Sequence, residues 1–179
     1  AAVGDEGSVL VHNAPFVLEK FGDMGLPALL AKPHMRNARA LVAPLDALAL
    51  EPASLDAAWM ALFYHDLYWQ ETDRAAMHRA LRRALVPGGL FVVVDHHAEA
   101  GSGARDAQTL HRIDAEEVKR DVLAAGFELV RESDLLRRPD DDRTKSVFDE
   151  SVRGRTDRFV LVFRTPLAPE PTGALEAGE

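Results

Sequence analysis

The stretch from Ala80 to Ala98, ALRRALVPGGLFVVVDHHA, permits few folds. Met77, Ala80, Leu81, Ala84 and Leu85 recur at helical spacing and give one apolar face. Pro87 cannot continue a helix, and Gly88–Gly89 supply the positive φ values that a sharp reversal needs. Leu90 to Val94 is then apolar without alternation, as in a parallel strand covered on both faces by helices. Asp95, His96 and His97 follow, polar groups at the strand end where an open α/β sheet presents its ligand crevice.

The flanking segments extend the same pattern. Ser8–His12 reads as a strand ending at Asn13, and Ala38–Ala43 as another leading to Pro44, Leu45 and Asp46. Between them Phe16–Lys32 is a helix that Gly22, Gly25 and Pro27 divide into two short pieces. Leu55–Tyr64 is apolar enough for a central strand, and Asp73 caps the helix that follows. Asp114 starts a helix through Ala125, with Glu117 placed to complete a capping box. Phe127–Arg131 and Arg158–Arg164 are the last strands, the final one antiparallel and at or near the edge. The charge-rich connection from Arg137 to Thr156 has the length of a functional cover or mobile loop, with Lys145, Ser146, Phe148 and Arg155 its most site-like residues. The expected architecture is α/β: a Rossmann-like, doubly wound, mostly parallel sheet in a three-layer sandwich, spanning 1–166. The Pro-, Glu- and Gly-rich residues 167–179 have little to bury and read as a disordered tail.

Composition narrows the function classes. At 179 residues, with 47% hydrophobic and 28% charged residues, the chain suits one globular domain with a substantial core. A net charge of −8 disfavours a sequence-independent grip on nucleic-acid phosphates. No apolar run is long enough to span a bilayer, so no membrane partner is expected. With no cysteine there is neither a disulfide nor a thiolate metal site, which is compatible with a cytoplasmic location. Ala1-Ala-Val-Gly4 reads as the last turn of a helix, and no signal peptide is visible.

Two clusters carry candidate chemistry. His65 and Asp66, followed by Tyr68 and Trp69, place an acid–base pair beside an aromatic wall at a strand's carboxyl end; the bland alternative is a surface turn with core aromatics. His96 and His111 add imidazoles with ordinary pKa values near neutrality, and Asp95 could orient one of them. Gly101 and Gly103 loosen the loop before Thr109, His111 and Arg112, which either face a ligand or tie the loop down. A metal hydrolase built from His65, Asp66, His96, His97 and His111 is a further reading, but their spacing matches no ligand motif, and no residue is assigned as a metal ligand. A nicotinamide dehydrogenase would need a glycine-rich fingerprint that is absent.

The pattern L-x-P-G-G-x5-D from Leu85 to Asp95 resembles the late motif of class I S-adenosylmethionine-dependent methyltransferases. The segments FYHDLYW, GSG, TLHRID, DDRTKSVFD and GRTDRFVL are similar to those of a group of bacterial predicted methyltransferases, over Gly4 to Pro166. The resemblance implies methyl transfer from S-adenosylmethionine to a small-molecule acceptor. It implies a cofactor site of Asn13 for the ribose hydroxyls, Asp46 for the adenine amino group, Leu45 over the ring, and Pro44, Tyr64 and His65 beside them. Asn13 and Asp46 are equally common as turn or cap residues. His65, Asp95, His96 and His111 are the catalytic candidates. The family's first strand and Gly-rich turn have no counterpart here, so the chain reads as an N-terminally truncated fragment, or as a protein that has lost its principal cofactor loop; a fragment would leave two strands short of a neighbour and be marginally stable. The competing expectation is a Rossmann-like binding module without cofactor.

Overall fold

In a computed structural model the chain is described at residues 3–70 and 72–167, and it divides into two compact units, Ala1–Ala49 and Leu50–Glu179. The expected tail thus lies, save for Leu167, outside the described residues.

In the first unit, strand β1 (Val9–Asn13) pairs in parallel with β2 (Ala38–Val42), from Val9 opposite Ala38 to Asn13 opposite Val42. Parallel partners need a crossover, and two short helices supply it: α1 (Pro15–Phe21) and α2 (Leu26–Leu30). The helical segment is broken as its glycines and proline predict. Gly22 closes α1 at φ 67° and Gly25 opens α2 at φ 75°, backbone that glycine adopts without a Cβ penalty. Asn37 donates to the carbonyls of Gly4 and Gly7, fixing the approach to β1.

The second unit holds a four-stranded sheet in the order β3 (Leu55–Ala61), β4 (Leu85–His96), β6 (Arg158–Arg164), β5 (Glu128–Ser133). β3 and β4 are parallel and joined through α3 (Arg74–Ala84), which packs on β4. α4 (Ala115–Ala124) connects β4 to β5 and lies against β5 and β6. β6 enters antiparallel to both β4 and β5. The last strand is antiparallel and near the edge as expected, one place in from it; its alternating burial, with Phe159, Leu161 and Phe163 inward, lets it fill the slot between β4 and β5. β3 is shorter than the expected Leu55–Tyr64, because the chain turns at Leu62 with φ 55° and enters a 3-10 turn over Tyr64–Tyr68. Among the described residues β1 and β3 each have one hydrogen-bonded neighbour strand.

The Pro-Gly-Gly segment departs from its expected role. The helix ends at Ala84 and the strand starts at once, so Pro87–Gly89 lie within β4 as a bulge: Leu55 pairs with Leu85, but Ala57 pairs with Leu90. Thr165 closes the bulge by donating its amide to Gly89 O and its hydroxyl to Val86 O. A Cβ on Gly89 would sit 2.8 Å from Val86 O, so the backbone comes too close there for any other residue. The capping box also stays open. Asp114 accepts from the Glu116 amide, while the Glu117 carboxylate turns away to Tyr68 and Arg120.

Phe91 sits at the centre of the core, with ring centroids 5.7 Å from Phe127 and 6.4 Å from Phe163. Met77, Val93, Val118, Val122 and Leu161 surround the same layer. No helix among the described residues is long and apolar enough to cross a membrane.

Candidate functional site

The polar residues expected at strand ends fall at the carboxyl ends of parallel pairs in each unit. In the first, Asn13 is the last residue of β1, and Pro44, Leu45 and Asp46 follow β2, with Leu45–Ala47 in a 3-10 turn. Asn13 is half-buried, Pro44 and Asp46 are exposed, and Leu45 is buried. Because β1 and β2 run the same way, these residues share one end of the two-stranded sheet.

In the second unit the centre is His65. The carboxyl ends of β3 and β4 lie side by side, and Asp95 at the end of β4 faces the turn that carries His65. The fully buried Asp95 accepts the His65 ring at Nδ1 (2.8 and 3.0 Å to its two oxygens) and the backbone amides of His65 (2.9 Å) and His96 (2.7 Å). Both oxygens are thus occupied, and Asp95 orients His65 without reaching solvent. The other ring nitrogen, His65 Nε2, lies 3.1 Å from His111 Nδ1 and 3.2 Å from Asp66 Oδ1. Asp66 Oδ1 is 3.4 Å from His111 Nδ1 and also accepts the Trp69 indole N–H at 3.0 Å. Trp69 and Phe148 stand edge-on to the His111 ring, at 6.2 and 4.8 Å between centroids.

The charges divide these imidazoles. Burial opposes protonation of His65, but its hydrogen bonds and proximity to Asp66 and Asp95 outweigh that and raise its pKa to about 9. Burial and the charge on His65 lower that of His111. Burial brings His96 down to about 4, and its Nδ1 lies 2.8 Å from the Thr156 hydroxyl. At neutral pH the site holds one imidazolium, His65, clasped by carboxylates, with neutral His111 and His96 nearby.

Tyr64 corrects an expectation. It is wholly buried, its hydroxyl donates to Asp121 (3.0 Å) and lies 3.1 Å from His78 Nε2, and burial with the Asp121 charge raises its pKa. Asp121 also takes Tyr68 and Arg74, whose guanidinium stacks 3.9 Å over the Tyr68 ring. Tyr64 is therefore a strut between the turn, α3 and α4. Arg112 is likewise internal: fully buried, it pairs with both oxygens of Asp141 (2.8 and 3.1 Å) and donates to the carbonyls of Lys145 and His97. It ties the loop down. Within the long connection only Phe148 of the four singled-out residues touches the cluster; Lys145 and Arg155 bond to Ser151. The anchors of that connection, Asp141 and Asp157, were not singled out, because nothing separates them in sequence from neighbouring surface acids.

Comparison with solved structures locates this fold. A S-adenosylmethionine-dependent methyltransferase from Aquifex aeolicus aligns at 16% identity over 90% of this chain and 71% of its own, with a TM-score of 0.60. The glycopeptide N-methyltransferase MtfA, solved with S-adenosyl-L-homocysteine, aligns at 14% identity over 89% and 73%, with a TM-score of 0.59. The [4+2]-cyclase SpnF aligns at 17% identity over 93% and 70%, with a TM-score of 0.59. No protein-family model and no curated protein sequence matches the chain. The architecture is the Rossmann-like fold of S-adenosylmethionine-dependent methyltransferases.

Proposed function

We propose that the chain is an S-adenosylmethionine-dependent enzyme that transfers a methyl group to a small-molecule acceptor. The observation that carries the reading is the placing of polar side chains at the carboxyl ends of parallel strands within each unit, in a fold shared with such enzymes. The donor set fits the cofactor. Asn13, half-buried at a strand end, offers an amide for ribose hydroxyls, and the exposed Asp46 carboxylate suits an adenine amino group. The exposed Pro44 would provide the apolar surface beside the ring, and Leu45 is buried in the turn that follows it. Tyr64 has no part in this, since its ring is sealed inside.

When bound, the cofactor supplies an electrophilic methyl on a sulfonium whose charge disperses as the methyl leaves. The protein's task is then positioning and exclusion of water. Trp69 and Phe148 form walls against which an acceptor would lie, and the His65–Asp66–His111 group is the polar floor that would orient it. Asp95 acts through His65 as a positioning residue. His96, turned to Thr156, contributes to the same polar end.

Calorimetric titration of the whole chain with S-adenosylmethionine and S-adenosylhomocysteine tests this. Saturable binding of one molecule per chain is expected, weakened roughly 5- to 10-fold by Asn13→Ala and by Asp46→Ala, as for loss of one net hydrogen bond. The [4+2]-cyclase neighbour favours a second reading, in which this fold serves another role. Absence of heat with both ligands would count against methyl transfer and favour a Rossmann-like binding module without cofactor.

A further inference from the structure

We propose that His65, Asp66 and His111 form a binding site for one divalent transition-metal ion, with Zn²⁺ the best fit. The inference goes beyond methyl transfer and concerns the second unit alone. Three ligand-type atoms, His65 Nε2, Asp66 Oδ1 and His111 Nδ1, converge within mutual distances of 3.1, 3.2 and 3.4 Å. Bonds of about 2.1 Å to each place an ion roughly 1 Å above the plane of that triangle, where ligand–ligand separations of about 3.0 to 3.4 Å are expected between octahedral and tetrahedral geometry. Two imidazoles and one carboxylate suit zinc and its first-row neighbours, whereas calcium and magnesium prefer all-oxygen sets.

A plain hydrogen-bonded knot explains the arrangement less well. A hydrogen on His65 Nε2 would be divided between Asp66 and His111, and cannot point straight at both. An ion at the same point, taking the place of the His65 Nε2 proton, which is released to solvent, satisfies all three groups at once. The surroundings are those of a supported metal site. Asp95 holds His65 from behind through Nδ1, a carboxylate–histidine arrangement that fixes the ring for its outward nitrogen to ligate. Trp69 holds the Asp66 carboxylate by its indole N–H. His111 is carried on backbone at φ 54°, a sparsely occupied conformation that aims its ring at His65. The side chains of Asp66 and His111 are 16% and 25% exposed against 4% for His65, so the cluster opens to solvent on one side and leaves room for a further oxygen ligand.

The test uses the whole chain, stripped with a chelator and free of any methyl donor, so that its outcome is independent of the cofactor reading. Zn²⁺ is titrated calorimetrically, and Co²⁺ is followed by its visible absorption. One ion per chain is expected, with an intense Co²⁺ band of a low-coordinate nitrogen–oxygen site. His111→Asn, which keeps a residue tolerant of positive φ, should weaken binding by at least about 100-fold, since loss of an outer partner alone costs roughly 10- to 100-fold. Asp66→Asn, which preserves a carbonyl for Trp69, should do the same, and circular dichroism confirms that both fold. His34→Asn, at an exposed histidine of the first unit, should change nothing. Zn²⁺ binding that survives His111→Asn, or no binding by the unmodified chain, overturns the proposal.

Discussion

Arg112 shows how far a residue's place can differ from its sequence neighbourhood. It sits one position from the half-exposed His111, yet it is fully buried and its guanidinium is held by Asp141 and two carbonyls. Removing one partner of a buried pair leaves an uncompensated charge, so Arg112→Met should lower stability by about 3–5 kcal/mol in urea unfolding. At Gly89 the constraint is steric. Gly89→Ala forces a Cβ to within 2.8 Å of Val86 O, and a loss of about 1–3 kcal/mol is expected in the same assay. His65 and Asp95 stood out in sequence because they follow apolar strands. Their direct bond, and the convergence of His111 from a loop far along the chain, did not: the spacing of 65, 66 and 111 belongs to no local ligand pattern. Tyr64 followed an apolar run into the expected site, but the turn at Leu62 rotates it into the core.

Among elements, the strands and helices were legible because their apolar periodicity is strong, and α3 and α4 begin at the two aspartates read as caps. Asp73 accepts the Ala76 amide, and Asp114 accepts from Glu116 and from Gly101 across the loop. With two amides to lose, Asp114→Ala should cost about 1–2 kcal/mol, measured by thermal or urea denaturation. The helix ends before Pro87 and Gly88 takes a positive φ, as composition implies, but the segment lies inside β4 as a bulge, because composition marks only the break in regularity. Whether glycine makes a reversal or a bulge depends on pairing with β3 and on Thr165, both distant in sequence. The position of β6 between β4 and β5 is of the same kind: alternation identifies a strand, not its neighbours.

Across the whole molecule, buried ionic groups set a response to acid. Burial and the nearby Arg143 guanidinium lower the His97 pKa to about 4, while an unfolded histidine titrates near 6.5. The unfolded chain then binds more protons between those values, so the contribution is complete above about pH 6.5 and is lost as the pH falls toward 4. Unfolding midpoints should drop across that window, and less so in His97→Gln. Asp157, buried, is held below the usual carboxylate range by the Arg138 amide and Arg137, so its contribution is lost at lower pH still. What the sequence alone determined is the class of the fold and the kind of residue at strand ends, because apolar periodicity and turn chemistry are local and depend on near neighbours. The order of strands, the inward turn of Tyr64 and the meeting of His65, Asp66 and His111 were decided only by tertiary structure, since each depends on which distant segments pack together, and no short-range pattern encodes that.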